Sequence, residues 1–144
     1  PPRQQMMGAE LYRWADHWGV PFRFASRFPQ NTVKALRMTL GCPDGARPAL
    51  IHALFSAIWA EDRNIEDEAE LAAIAASVGV DPAEAIAQTG SDAMRARLRD
   101  VTAEAHARGV FGVPTFEVGG ELYWGQDRIE LVEDALLRPV GGQR

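Results

Sequence analysis

The hydrophobic period of this chain changes once, at Gly109, from three-to-four residues to two, and that change constrains the fold more than any other feature. Upstream, apolar residues recur at helical spacing. Downstream, Thr115-Phe116-Glu117-Val118 and Glu121-Leu122-Tyr123-Trp124 read as two short strands joined by Gly119-Gly120, a two-residue hairpin turn. An isolated two-stranded hairpin is marginal in water and needs further strands or a covering helix. Six or seven helices with one hairpin are therefore an unusual complete domain. Either helices sandwich the hairpin alone, or its sheet partners lie outside this sequence; the second account is preferred.

The helical part is punctuated clearly. Met6, Met7, Leu11, Trp14, Ala15 and Trp18 form one stripe, stopped by Gly19. Phe22, Phe24 and Phe28 between Pro21 and Pro29 predict an extended, ring-rich connection. A helix over 32–40 follows, with Asn31 as N-cap and Gly41 as stop. The next, over 47–60, carries Leu50, Ile51, Leu54, Phe55, Ile58 and Trp59 on one broad stripe. Helices over 68–78 and 83–88 come next, the latter opened by Asp81-Pro82. Ser91 caps a long helix to about 108 with Met94, Leu98, Val101 and Ala105 inward, and a helix over 127–137 closes the fold. The tail, 139–144, is Gly-rich and expected to fray.

The 144 residues suit one domain, with 47% hydrophobic and 24% charged residues, as in a globular protein. A net charge of −5 without a basic cluster argues against nucleic acid, whose phosphates require a basic face. No apolar run reaches the roughly 20 residues of a membrane span, and no signal-peptide pattern opens the chain. The single cysteine, Cys42, forms no internal disulfide and no thiolate zinc site. A cytoplasmic location is expected.

Chemistry concentrates in two places. Val113-Pro114-Thr115 lies between a helix stop and a strand, where the backbone turns sharply. A cis bond before Pro114 would turn backbone groups outward toward another extended chain; a trans proline opening the strand is the plainer alternative. At Trp124-Gly125-Gln126-Asp127-Arg128 a strand ends and a helix begins. Free helix-end amides with one carboxylate suit a zwitterion such as the α-carbon end of an amino acid. The competing reading is structural: Asp127 with Glu130 is a capping box. His17 and His106 read as solvated, His52 as a core residue, and Trp14, Trp18 and Trp59 as core. No metal-ligand motif, phosphate loop or nucleophile–histidine arrangement is present.

The run Gly109-Val110-Phe111-Gly112-Val113-Pro114-Thr115-Phe116, followed by Glu121-Leu122-Tyr123-Trp124-Gly125-Gln126-Asp127-Arg128, resembles the C-terminal half of the 2-hydroxychromene-2-carboxylate isomerase family. That family is grouped with kappa-class glutathione transferases and DsbA-like thioredoxin folds. Trp14 through Gly19-Val20-Pro21-Phe22-Arg23-Phe24, Arg27-Phe28-Pro29-Gln30-Asn31 and Ile58-Trp59 through Asn64-Ile65 extend the likeness over nearly the whole chain.

The resemblance implies an α/β thioredoxin-like fold of DsbA/kappa type with a helical insertion. On that basis 1–109 is the helical insertion region, 110–138 the C-terminal hairpin and helix, and 139–144 a tail of the same domain. The family's first strand–helix–strand unit, on the order of fifty residues, is expected to precede Pro1 and to carry the catalytic serine. The implied activity is a glutathione-dependent cis–trans isomerase in aromatic compound degradation, with glutathione as cofactor and a small aromatic substrate. Pro114 is then cis. Val113 pairs its backbone with glutathione's cysteinyl portion, and Trp124, Gly125, Gln126 and Asp127 hold the γ-glutamyl end. Asn31 and Arg3 fall on the substrate side, and a homodimer is expected. The alternatives are a DsbA-like thiol-disulfide oxidoreductase, a kappa-type glutathione transferase, or a non-catalytic helical partner module.

Overall fold

The computed structural model of the chain describes the backbone of residues 2–138, and the side chains of that span apart from residues 2–5 and 7. The predicted frayed tail, 139–144, lies outside the described residues. The elements in order are α1 (Pro2–Trp18), α2 (Val33–Gly41), α3 (Arg47–Trp59), α4 (Glu68–Ser77), α5 (Pro82–Gly90), α6 (Asp92–Ala107), β1 (Thr115–Val118), β2 (Glu121–Trp124), a 3-10 turn (Gln126–Arg128) and α7 (Ile129–Leu137). They group into two compact units, Pro1–Leu98 and Arg99–Arg144.

The core of the first unit lies among α2, α3, α4 and α5. Leu50 on α3, Leu71 on α4 and Ile65 in the intervening connection are fully buried, with Met38 of α2, Ile74 of α4 and Ala85 of α5 packed in the same cluster. Local chemistry starts these helices where the core needs them. The Asp67 carboxylate accepts from Ala69 N–H at 2.8 Å, and Glu68 and Glu70 complement the helix dipole in the first turn of α4. Asp81 accepts from Glu84 N–H at 2.8 Å, and Pro82 takes the first helical position of α5, where a missing N–H is harmless. Ser91 caps α6 by accepting from Met94 N–H at 3.1 Å.

The connection 20–31 is irregular in backbone yet held firmly. Arg23 N–H donates to Trp59 C=O at 2.6 Å, and Ser26 N–H donates to Asp62 Oδ1 at 2.7 Å. The Gln30 amide donates to Arg63 C=O at 3.2 Å and accepts from Ile65 N–H at 2.9 Å, while Asn31 N–H reaches Glu66 Oε1 at 2.9 Å. Asp62 is the centre of this lacing. It sits at φ 58, a left-handed conformation unusual outside glycine, and its second oxygen meets the Arg23 guanidinium at 3.0 Å. The segment carries Phe22, Phe24 and Phe28, whose rings gather on Trp59 at centroid distances of 5.9–6.0 Å.

The hydrogen bonds from Ser26, and then the charge of Arg23 and Arg27, hold the Asp62 carboxyl below its usual range. A folded value below the unfolded one means that this carboxylate stabilises fully above the unfolded aspartate value. That contribution is lost as pH falls through the lower folded value. In denaturant titrations, wild type should exceed Asp62→Asn in stability at about pH 6, and the gap should shrink toward about pH 2. A gap independent of pH would mean that shape, not charge, makes Asp62 matter.

Several expectations need correction. The α3 stripe splits: Leu50, Leu54 and Ala57 are buried, whereas Ile51 and Phe55 lie on the neighbouring row and are exposed, Phe55 at 61%. A helix facing one packed layer buries one row of three-and-four spacing, and an apolar neighbour 100° away is left outside it. Trp14 and Trp18 are likewise exposed on α1, as is His52 on α3, so none of the three is a core residue. The inward positions of α6 are on the right face, but Met94, Leu98, Val101 and Ala105 are only half-buried.

In the second unit the hairpin has the predicted strands. β1 and β2 pair antiparallel with Thr115 opposite Trp124 and Val118 opposite Glu121. Gly119 and Gly120 have φ of 60° and 86°, the pair of positive values that a tight primed turn requires. Arg108 bonds Glu104 at 2.7 Å and Glu117 at 2.8 Å, tying the end of α6 to β1. Among the described residues the sheet has two strands.

Candidate functional site

The second unit brings most of the sequence-derived site together. α6 ends at Gly109, φ 89, where Gly109 N–H donates to His106 C=O and Val110 N–H to Ala105 C=O. The following turn is closed by the Thr115 hydroxyl, which donates to Gly112 C=O at 2.6 Å. Within it the Val113–Pro114 peptide is cis, as the resemblance implied; Phe28–Pro29 is also cis, which the sequence reading did not anticipate. Gly125 N–H donates to Pro114 C=O at 3.0 Å, extending the β1–β2 ladder by one bond. Pro114 and Gly125 are thus directly linked, with Trp124 beside them.

Val113 is the exposed edge of this turn, the residue being 88% exposed, and its N–H and C=O bond to no described residue. A backbone with one free donor and one free acceptor is what an added extended chain pairs with.

The helix expected over 127–137 starts differently. Gln126–Arg128 form the 3-10 turn, and α7 begins at Ile129 with no side-chain cap. The Asp127–Glu130 capping box is therefore absent. Asp127 instead pairs its Oδ2 with the Arg128 guanidinium at 2.8 Å, both side chains being half-exposed. Gly125, at φ 111 and ψ 149, adopts a backbone open essentially to glycine alone, and a Cβ there would lie 2.5 Å from Asp127 Oδ1. The carboxylate folds back over the strand end because position 125 has no side chain. The Gln126 side chain is exposed and makes no hydrogen bond to a described residue.

Asn31 belongs to the first unit. The expectation that it is the N-cap of α2 needs correction: it lies one residue before the observed cap position, because α2 starts at Val33 with Thr32 as the flanking residue. Its side-chain oxygen still accepts from Val33 N–H at 3.0 Å. Arg3 falls within α1, and its side chain lies outside the described residues. Cys42 is buried in the core of the first unit, and burial raises its thiol pKa against the lowering charge of Arg47. A protonated, enclosed thiol is a poor nucleophile. Among the described residues no cluster of His, Cys, Asp or Glu is placed to hold a metal ion, and no helix is long and apolar enough to cross a membrane.

The sequence reading gave no role to two residues at this turn. Phe111 is 77% exposed, and its ring lies 5.0 Å from that of Trp124. Gly112 lies against the Trp124 indole so closely that a Cβ would come 2.7 Å from Nε1. Their only sequence signal was membership of the Phe111-Gly112-Val113-Pro114 run.

A helical segment leading through a cis-proline turn into an antiparallel hairpin and a final helix defines the class, and the family comparison agrees. Residues 1–137 match the DSBA-like thioredoxin domain, and the chain belongs to that family. Within it, the chain is similar to proteins named 2-hydroxychromene-2-carboxylate isomerase. The relative from Sphingobium xenophagum is 32% identical over 94% of this chain and 69% of its own length; that from Pseudomonas putida is 30% identical over 90% and 63%. A solved structure of a 2-hydroxychromene-2-carboxylate isomerase superposes with a TM-score of 0.83 at 27% identity, covering 92% of this chain and 65% of that one. The chain thus spans about two thirds of the length of these relatives. The expected α/β thioredoxin-like fold of DsbA type is established.

Proposed function

We propose that the protein is a glutathione-dependent cis–trans isomerase acting on a small aromatic enone of the 2-hydroxychromene-2-carboxylate class. The observation that carries this reading is the exposed Val113 edge, whose N–H and C=O bond to no described residue, one ladder bond from the Gly125–Asp127 segment in the same unit. The names of the relatives supply the reaction.

The residues fit a tripeptide thiol. Val113 offers one donor and one acceptor to an extended backbone. The Asp127 carboxylate suits an α-ammonium, and the Gln126 amide and the turn's leading N–H groups suit an α-carboxylate. When bound, glutathione supplies a thiolate that adds reversibly to a conjugated double bond, frees rotation about it and leaves unchanged. This chain's part is to hold the tripeptide in one register; the serine that activates the thiol is proposed to lie upstream of Pro1. Asn31 and Arg3 are proposed to take the substrate's polar groups.

The test is turnover of 2-hydroxychromene-2-carboxylate by the full-length protein, followed by absorbance with and without glutathione. Isomerisation should require catalytic glutathione, recovered intact, and S-methylglutathione should not replace it. Turnover without thiol would overturn the reading. Stoichiometric consumption of glutathione into a conjugate would favour a kappa-type transferase, and reduction of a protein disulfide would favour a DsbA-like oxidoreductase.

A further inference from the structure

We infer that Glu66 is a positioning residue for the substrate: it holds Asn31 so that the amide N–H groups of that side chain are left for an anionic oxygen of the substrate. This inference rests on the contact proposed above between Asn31 and the substrate. It adds a residue, Glu66, and a direction for the hydrogen bonds.

Asn31 and Glu66 lie 35 residues apart in the chain and meet directly, Asn31 N–H donating to Glu66 Oε1 at 2.9 Å. The carboxylate stands on a fixed backbone. Ile65, just before it, is fully buried, Glu66 N–H donates to Asn64 Oδ1 at 3.2 Å, and Asp67, just after it, caps α4. Asn31 is pinned on both sides. The Gln30 amide is bonded to Arg63 C=O and Ile65 N–H, and Asn31 Oδ1 accepts from Val33 N–H at 3.0 Å, an Asx turn leading into α2.

These bonds sort the chemistry of the Asn31 side chain. A primary amide has one acceptor oxygen and two N–H donors. The oxygen is engaged within the turn, whereas the amide nitrogen bonds to no described residue. Those donors fit a carboxylate oxygen, and the substrate class proposed above carries a carboxylate. Glu66 acts through Asn31: by taking the main-chain N–H it fixes the peptide from which the turn starts. A second link between the same two segments, Lys34 Nζ to Glu68 Oε1 at 2.8 Å, does not involve Asn31. The contribution of Glu66 is therefore separable from stapling of the segments in general.

The experiment follows isomerisation of 2-hydroxychromene-2-carboxylate by the full-length protein in saturating glutathione. Glu66→Ala should raise KM about three- to tenfold and leave kcat within about twofold. Glu66→Gln, which retains the acceptor oxygen, should restore the wild-type KM, and Lys34→Ala should not change it. Asn31→Asp keeps the acceptor for Val33 N–H but exchanges the donors for a charge, and should raise KM at least as far as Asn31→Ala does. Adding Glu66→Ala to Asn31→Ala should have no further effect. Equal KM in Glu66→Ala and wild type overturns the inference. So does an effect that Glu66→Gln fails to restore, that Lys34→Ala reproduces, or that persists in the Asn31→Ala background. A wild-type KM in Asn31→Asp also overturns it and leaves the glutathione reading standing. Absence of glutathione-dependent turnover in wild type overturns the glutathione reading itself, and this inference with it.

Discussion

Alanine at position 127 is expected to weaken glutathione binding about ten- to a hundredfold while leaving thermal stability nearly unchanged. On the glutathione reading proposed above, the binding loss follows from removing the Asp127 carboxylate proposed to meet the tripeptide's ammonium, since hydrogen bonds to charged groups contribute about 1.5–3 kcal/mol each. The small effect on stability follows from the structure. Asp127 caps no helix, because α7 begins beyond it without a side-chain cap. Its partner in the fold is the half-exposed Arg128 guanidinium at 2.8 Å, and an exposed pair of that kind contributes about 0–1 kcal/mol. Calorimetric titration with glutathione and a thermal melt of the same variant separate the two effects. Retained affinity in a destabilised protein would return Asp127 to a structural role.

Leu71→Ala should damage the core strongly, costing about 2–5 kcal/mol. Leu71 is fully buried on α4 within the cluster that holds Leu50, Ile65 and Ile74. The cavity lies among helices fixed at their starts by Asp67 and Asp81, so the surroundings can collapse only partly. A melt followed by circular dichroism should show the helical transition falling by on the order of 10 °C. A fall of only one or two degrees would mean that this unit is loosely packed.

These two expectations mark the limits of reading the chain alone. Asp127 with Glu130 satisfied the spacing rule for a capping box, yet the chain leaves Trp124 through a glycine at φ 111 and a 3-10 turn. That exit is set by the hairpin register and by the Gly125–Pro114 bond, which are tertiary facts. Leu71 was legible as apolar at helical spacing. Its complete burial, and the exposure of the equally apolar Phe55, depended on where neighbouring helices lay. Asp62 had no sequence signal, because its conformation and partners belong to segments more than thirty residues apart.

What the sequence determined by itself was whatever short-range chemistry decides. The stops at Gly19 and Gly109 have positive φ, whereas Gly41 stays within α2; Asp81-Pro82 opens a helix, and Gly119-Gly120 sets a hairpin whose strands match the predicted residues. Each depends on backbone freedom or a hydrogen bond within a few residues, and so survives in any tertiary context. The tertiary structure alone decided which apolar row of α3 is covered, how connection 20–31 is laced to Asp62, and that Phe111 leans on Trp124 across Gly112. Those outcomes are contacts between residues distant in the chain, and local spacing carries no term for a partner that only folding brings near.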